Sequence, residues 1–315
     1  RGFPAGREAA ARVEQIYGRA RSKHMTPTNV LSRLGRVSCV INPLSGSTPA
    51  DAPDLIREKL SGLPDKASIH IAGEGDLPLL METALAEEPD TLIVWGGDGT
   101  IACALSHAGL LGPAILPLPG GTMNMLPTRA LGGDHSWDTL MDRALKGGQI
   151  RPMPCGEIVD GPRFFVAAML GDMTRFTNSR EALREGKILE AAEIMHDSSA
   201  LALHSNISWS VPGGRKQTST ALTVNINPDT SGKLEIASVD PQGLLDLAKI
   251  GLEMMVDGWR NAEDVRLILA DEVEAHHLEK GRINVTLDGE LKEMDTPLRF
   301  RRIDSAVNIF VPDMS

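Results

Sequence analysis

The segment Gly96-Gly97-Asp98-Gly99-Thr100 has the composition of a phosphate-binding turn. It follows the apolar run Thr91–Trp95, which predicts a buried strand, and it precedes a predicted helix that extends to about Gly109. Glycines let a ligand approach the backbone closely, and the free N–H groups at a helix N-terminus attract phosphate. Asp98 would place one carboxylate where Mg²⁺ bridges such phosphates. The alternative is an ordinary glycine turn with Thr100 as the helix N-cap.

Two further loops have related compositions. The loop Asn42-Pro43-Leu44-Ser45-Gly46-Ser47 follows a predicted strand at Val37–Ile41. Asn42 and Ser45 can hydrogen-bond a nucleotide, and Gly46 permits close approach of the backbone. The loop Pro119–Asn124 follows a predicted strand at Ala114–Leu116 and offers Thr122 as a phosphate donor. Open α/β sheets bind ligands at the carboxyl ends of their strands, so we expect all three loops at one edge.

A pair of carboxylates lies near the C-terminus, in Leu287-Asp288-Gly289-Glu290. Asp-Gly is a favoured hairpin turn, and taken alone the segment predicts such a turn between strands at Ile283–Leu287 and Leu298–Ile303. A carboxylate near a γ-phosphate is also what a kinase needs to orient or deprotonate an acceptor hydroxyl. Asp288 and Glu290 are therefore candidates for that role.

The elements that carry these loops alternate between strand and helix up to about residue 150. Helices are predicted over about 53–60, from Asp76 onward and near 136–146, with a strand at Ile69–Ile71. This alternation is typical of a parallel sheet covered by helices on both faces. Beyond Arg151 the pattern changes to strands without regular helices, which predicts a mainly antiparallel β domain. These strands are predicted at Phe164–Met169, Ile207–Val211, Ala221–Ile226, Val265–Leu269 and Ile283–Leu287.

The four motifs, in this order and spacing, resemble the diacylglycerol kinase catalytic family, which includes bacterial lipid kinases and sphingosine kinases. The resemblance runs from about residue 36 to 312. It implies a three-layer Rossmann-like nucleotide-binding domain at 36–150 that regains the last segment, about 303–315, and an antiparallel β-sandwich domain for the lipid substrate at 151–302. It also implies an active site in the cleft between these domains.

Carried over by position, the resemblance assigns ATP and Mg²⁺ as cofactors. The residues assigned to nucleotide binding are Asn42, Pro43, Ser45, Gly46, Gly96, Gly97, Asp98, Gly99, Thr100, Gly121 and Thr122. The assigned catalytic residues are Glu290 as proton acceptor, Asp288 and Asp98, with Asp98 also contacting the metal of MgATP. The implied activity is transfer of the γ-phosphate to a hydroxyl of diacylglycerol or a related amphipathic lipid.

Two alternatives stay open. One is an NAD kinase or another small-molecule kinase that shares Gly-Gly-Asp-Gly, although such kinases lack the late Asp-Gly-Glu. The other is a catalytically silent nucleotide-binding module that acts as a regulator. Gln242 stands where bacterial members have an Asp that helps a structural Mg²⁺ site, which keeps the second alternative in play.

Composition limits the partners. The net charge of −10 argues against nucleic acid, and no apolar run approaches the roughly 20 residues of a spanning helix. Three widely spaced cysteines, Cys39, Cys103 and Cys155, predict a reducing, cytoplasmic location. Residues 1–36 carry a net charge of +6, and 1–35 predict a basic helical extension. That helix would pack on the body or on a second copy in a homodimer, or make peripheral contact with the inner face of the membrane.

Overall fold

A computed structural model of the protein describes residues 33–63, 65, 67–73, 75–171, 206–227, 232–239 and 265–314. These residues form two units. The N-terminal unit contains the described residues up to Cys155 and those from Ile303 onward, and the C-terminal unit contains those between Gly156 and Arg302. The predicted basic extension lies outside the described residues apart from its last three positions, and Gln242 also lies outside them.

Strands and helices alternate in the first part of the chain. They are β1 (Val37–Ile41), α1 (Ala52–Leu60), β2 (Ser68–Ile71), α2 (Leu77–Ala86), β3 (Thr91–Gly96), α3 (Asp98–Ala108), β4 (Ala114–Pro119), α4 (Met125–Leu131) and α5 (Trp137–Lys146). The second part consists of strands: β5 (Gly148–Ile158), β6 (Arg163–Phe164), β7 (Ala167–Gly171), β8 (Ile207–Ser210), β9 (Gln217–Ser219), β10 (Ala221–Asn225), β11 (Leu234–Val239), β12 (Val265–Ala270), β13 (Glu272–His277), β14 (Arg282–Leu287), β15 (Glu290–Asp295) and β16 (Leu298–Pro312).

The sheet of the N-terminal unit has the order β2-β1-β3-β4, and the end of β16 lies beside β4. All of these pairings are parallel, including the register of Ile309 with Ile115. Every residue of β1 and of β3 is buried, as expected for strands covered on both faces. The end of β16 is therefore part of this sheet.

Local sequence accounts for the buried face of α1 and for the start of α5. In α1 the buried residues are Ala52, Ile56 and Leu60, which recur every four positions and form one apolar face. Ser136 caps α5, because its hydroxyl accepts the backbone N–H of Thr139 at 3.3 Å.

The C-terminal unit is a β-sandwich, as the sequence resemblance implied. One sheet has the order β12-β11-β10-β7-β14-β15, with antiparallel pairings, and the other contains the start of β16 with β13, β8 and β9. Side chains of both sheets share one core, exemplified by Leu222, Val285, Trp209 and Phe300. The fold class, an α/β domain followed by an antiparallel β domain, is confirmed.

The predicted strand at Phe164–Met169 is wrong in one respect. Residues 165 and 166 separate β6 from β7, and their N–H groups are bound by a side chain instead of a neighbouring strand. The carboxylate of Asp288 accepts the N–H of Phe165 at 2.6 Å and that of Val166 at 2.8 Å. A side chain 122 positions away along the chain thus interrupts this strand.

Candidate active site at the edge of the parallel sheet

The candidate nucleotide site lies where β1, β3 and β4 end. In the order β2-β1-β3-β4 the strands are parallel, and β2 and β3 lie on opposite sides of β1. Open α/β sheets bind ligands at such a switch in strand order. The loops after these three strands are held together by hydrogen bonds between their backbones and side chains.

The loop after β1 is attached to the end of β3 and the start of α3. The N–H of Asn42 donates to the carbonyl oxygen of Trp95 at 2.9 Å, and its side-chain Nδ2 donates to Thr100 Oγ1 at 2.9 Å. Ser45 Oγ accepts the N–H of Gly97 at 3.0 Å. These bonds fix Asn42 and Ser45 next to the Gly-Gly-Asp-Gly-Thr segment.

The same loop is attached to the loop after β4. The N–H of Ser47 donates to the carbonyl oxygen of Gly120 at 2.9 Å, and Ser47 Oγ donates to that of Gly121 at 2.8 Å. Thr48, which is buried, donates its hydroxyl to Gly120 at 3.2 Å. Sequence reasoning missed both Ser47 and Thr48, because hydroxyl residues in a loop carry no signal of their partner.

Two glycines after β4 are required by close backbone packing. A Cβ on Gly120 would lie 2.1 Å from Thr48 Oγ1 and 3.0 Å from the Cα of Gly96, and one on Gly121 would lie 2.8 Å from the Cα of Gly97. Neither position can hold a side chain without moving the backbone. These glycines therefore set the spacing between the loops after β3 and β4.

Gly97 differs from those two positions. A Cβ there would meet the Cα of Gly121 at 3.5 Å and Ser45 Oγ at 3.7 Å, which are ordinary contacts, and its φ of −79° suits any residue. Packing and backbone conformation do not require glycine here. Glycine at this position leaves space in front of the backbone that a side chain would otherwise fill.

The N-terminus of α3 presents free donors beside Gly97. Gly97 is the N-cap and no side chain caps this helix, so the N–H groups of its first turn have no partner within the helix. The alternative of Thr100 as N-cap is wrong: Thr100 lies inside the first turn, is buried, and its Oγ1 accepts from Asn42. The partial positive charge of a helix N-terminus at this place suits a phosphate group.

Asp98 is the first residue of α3 and is half-buried. Its Oδ1 accepts the N–H of Leu126, in the first turn of α4, at 2.8 Å. Its Oδ2 has no hydrogen bond to any described residue. One oxygen therefore links two helices, and the other is available to a cation bound to phosphate, which fits the Mg²⁺ expected for this site.

Asn124 is a further residue that sequence reasoning left out of the site. It has φ +49° and ψ 37°, the left-handed conformation that asparagine tolerates best among non-glycine residues. Its Oδ1 accepts the N–H of Gly121 at 2.8 Å. Asn124 thereby closes the loop after β4 and begins α4.

The structure places the other predicted nucleotide ligands in these same loops. Gly96 and Gly121 are buried, Pro43 is half-buried, and Gly46, Gly99 and Thr122 are exposed. A Cβ on Gly46 would lie 3.1 Å from Thr122 Oγ1, so the loops after β1 and β4 are close here too. All of the predicted nucleotide ligands are therefore brought together at one edge of the sheet.

Asp288 and Glu290 belong to the C-terminal unit, in the hairpin that joins β14 to β15. Asp288 has φ +49° and Gly289 φ +99°, and Leu287 pairs with Glu290, so the two intervening residues form a tight turn. The Asp288 carboxylate accepts three backbone N–H groups, from residues 165, 166 and 167, and so anchors the turn to the start of β7. The Glu290 side chain is 66% exposed and lies 3.6 Å from Lys292 Nζ.

Two negative observations concern only the part of the chain that is described. No group of three or more His, Cys, Asp or Glu side chains there could hold a metal ion by itself. Within the same residues no helix has both the length and the apolar character needed to cross a membrane.

Comparison with known proteins supports the resemblance drawn from the motifs. Residues 36–158 match the family model described as the diacylglycerol kinase catalytic domain. A solved structure described as a diacylglycerol kinase from Bacillus anthracis is 16% identical, covers 90% of this chain and 98% of its own, and superposes with a TM-score of 0.61. Two further structures from that organism, 17% and 18% identical, both give TM-scores of 0.64 and cover 90% and 89% of this chain and 99% and 98% of their own.

The TM-scores show that these proteins share a fold with this chain. The match to the family model contains all three loops of the candidate site, and it confirms the resemblance to the diacylglycerol kinase catalytic family over residues 36–158.

Proposed function

We propose that the protein is an ATP-dependent lipid kinase that transfers the γ-phosphate to a hydroxyl of diacylglycerol or a related amphipathic lipid. The observation that carries the proposal is the joining of three loops around Gly97 and the uncapped N-terminus of α3. This arrangement provides backbone donors with no side chain in front of them, which is what a polyphosphate needs.

The phosphates would lie against Gly97 and the first turn of α3. Gly46 and Thr122 lie on the opposite loops, at the same edge. In this structure the N–H of Gly97 is bound to Ser45 Oγ, so phosphate would share or replace that contact. Since hydroxyl groups rotate freely, Ser45 can turn to donate to a phosphate oxygen instead.

Asp98 would hold the metal of MgATP through Oδ2, the oxygen that does not bind Leu126. A bound Mg²⁺ neutralises charge on the β- and γ-phosphates as the transfer proceeds. The role of Asp98 would be to hold the positive charge of Mg²⁺ at the edge of the sheet, next to the N-terminus of α3.

Glu290 would accept the proton of the acceptor hydroxyl. The hydroxyl oxygen attacks the γ-phosphorus, the bond to the bridging oxygen breaks, ADP leaves, and the hydroxyl proton passes to the Glu290 carboxylate. The 66% exposure of the Glu290 side chain supports this assignment, because an approaching hydroxyl can reach its carboxylate beside Lys292 Nζ, which lies 3.6 Å away. The Asp288 carboxylate is engaged by three N–H groups, so we assign it the task of fixing the hairpin that presents Glu290.

The decisive experiment is transfer of labelled γ-phosphate from ATP to a panel of lipids, with chromatographic identification of the product. Labelled phosphate on diacylglycerol or a related lipid is the expected result. Labelled NADP from an NAD-containing arm would instead show an NAD kinase. ATP binding without consumption in any arm would identify a silent nucleotide-binding module.

A further inference from the structure

Trp95 is bonded to two of the three loops of the candidate site. It lies in β3 directly before Gly96, is fully buried, and its ring lies against Trp137 with centroids 4.4 Å apart and planes tilted by 31°. Trp137 is the first residue of α5. The largest side chain of the strand is thus placed immediately beneath the glycine turn.

The backbone and the side chain of Trp95 bind different loops. Its carbonyl oxygen accepts the N–H of Asn42 at 2.9 Å, which fixes the start of the loop after β1. Its indole Nε1–H donates to the carbonyl oxygen of Pro119 at 3.1 Å, which fixes the start of the loop after β4. One residue therefore holds both loops next to the turn that it precedes.

The second bond has a specific consequence for Gly97. Pro119 is followed directly by the two glycines whose backbone packs against residues 96 and 97, with a Cβ on Gly121 only 2.8 Å from the Cα of Gly97. A shift of Pro119 by a few tenths of an ångström would alter the distance between Gly97 and the loop after β4. The indole N–H opposes such a shift, because it is bonded to the Pro119 carbonyl oxygen and the ring that carries it is fully buried in close packing.

We propose that Trp95 is a positioning residue for the nucleotide phosphates, acting through its indole hydrogen bond to Pro119. This inference rests on the proposed function, since it assigns the purpose of the bond to a phosphate site at Gly97. It makes a prediction that packing alone does not: removal of the N–H, with the aromatic ring retained, weakens nucleotide binding in a protein that remains folded.

The test compares Trp95→Phe with Trp209→Phe. Trp209 is 1% exposed and lies in the core of the C-terminal unit, and its Nε1 has no hydrogen-bond partner among the residues that the structure describes. Both substitutions remove a buried indole, but only the first removes an indole hydrogen bond. Trp95→Phe should raise the calorimetric Kd for MgATP by about three- to tenfold, the effect of one net hydrogen bond. Trp209→Phe should leave it unchanged, and kcat at saturating ATP should stay near normal in Trp95→Phe.

The outcomes are separable. An unchanged Kd in folded Trp95→Phe, with only a lower melting temperature, makes Trp95 a packing residue and overturns the inference. An equal rise of the Kd for MgATP in both variants overturns it too, because it would show that loss of any buried indole weakens binding through general destabilisation. Failure of the unmodified protein to bind MgATP removes the proposed function itself.

A second measurement covers the case in which Trp95→Phe does not fold. The chain has four tryptophans, and their indole ¹⁵N–¹H resonances can be assigned by replacing Trp137, Trp209 and Trp259 one at a time. The Trp95 indole proton should exchange slowly with solvent, and its resonance should shift when MgATP saturates the protein. A Trp95 resonance that does not move at saturation overturns the inference.

Discussion

The carboxylate of Asp98 accepts the backbone N–H of Leu126 at 2.8 Å, so the first residue of α3 caps the first turn of α4. The proposed metal ligand is therefore also a structural link between two helices. Its two tasks use different oxygen atoms, and substitutions can separate them.

Asp98→Asn should retain the cap and lose the proposed metal site. The amide oxygen can still accept from Leu126, so the free energy of unfolding should change little. The lost charge should lower Mg²⁺-dependent phosphotransfer by about 10²–10³-fold. Asp98→Ala should in addition lose about 0.5–2 kcal/mol of stability, the value of a cap. Urea denaturation and phosphotransfer assays check both variants. Full activity in Asp98→Asn would exclude Asp98 as a metal ligand.

Gly97 and Gly121 should respond in opposite ways to an added methyl group. At Gly97 the Cβ meets only ordinary contacts, so Gly97→Ala should unfold at nearly the same urea concentration as the unmodified protein but bind MgATP weakly. Gly97→Val should abolish binding in a folded protein. At Gly121 the Cβ lies 2.8 Å from backbone, so Gly121→Ala should cost about 1–3 kcal/mol of stability. Normal MgATP affinity in folded Gly97→Val would remove the site from this loop.

Glu290→Gln tests the proposed base. Because the glutamine side chain keeps shape and hydrogen bonding but cannot take up the proton, turnover should fall by about 10²–10⁴-fold. The affinity for MgATP should stay the same. Glu293→Gln is the matched control, since Glu293 lies on the same strand and pairs with Arg282 at 2.6 Å. If Glu290→Gln turns over at the control's rate, the segment is only a hairpin turn and the base lies elsewhere.

Asp288→Asn should act mainly on structure. Asp288 accepts three N–H groups through both oxygens, and an amide nitrogen cannot accept, so at least one of these bonds is lost. We expect a loss of about 1–3 kcal/mol in the free energy of unfolding, with reduced turnover and unchanged MgATP affinity. Thermal denaturation and calorimetry measure the two effects. Unchanged stability would show that the three bonds are dispensable.

Glu87 predicts acid sensitivity of the N-terminal unit. Burial acts to raise the pKa of Glu87, but hydrogen bonds from Ser38, Ser68 and His70 and the charge of His70 outweigh it, so the pKa is lowered. A lowered folded-state pKa stabilises the protein above the ordinary glutamate pKa, and this contribution is lost as the pH falls through the folded value. Urea midpoints should therefore fall less between pH 6 and pH 3.5 in Glu87→Gln than in the unmodified protein. Glu82→Gln, an exposed site on α2, should keep the original pH dependence.

The sequence predicts those elements whose own residues carry a clear apolar pattern, without reference to a partner strand. The strand at Val37–Ile41 was predicted with the bounds that the structure shows, because all five residues are buried. It did not predict β13, which becomes a strand through pairings such as Leu298 beside Ala275. It also placed the second strand of the Asp288-Gly289 hairpin at Leu298–Ile303, whereas β15 (Glu290–Asp295) is the strand that pairs with β14. Tertiary pairing overrides local propensity there.

A similar division applies to the candidate site. Strand order alone brings the three loops to one edge, and the glycine pattern identified them. The bonds that join the loops, such as those from Ser47, Thr48 and Trp95, depend on the register between β3 and β4, with Gly96 beside Pro119. Register is fixed by packing across the sheet and is not encoded in a loop's own composition.

The last strand also bears on the order in which the molecule is made. The end of β16 contributes the buried residues Val307, Ile309 and Phe310 to the N-terminal unit. All three loops of the candidate site have left the ribosome long before these residues are synthesised. Domains fold as units. Until β16 is synthesised, the N-terminal unit would lack the strand that pairs with β4, and that edge of β4 would be exposed. A fragment that ends at Cys155 should therefore bind no nucleotide unless a peptide spanning 303–314 is supplied in trans.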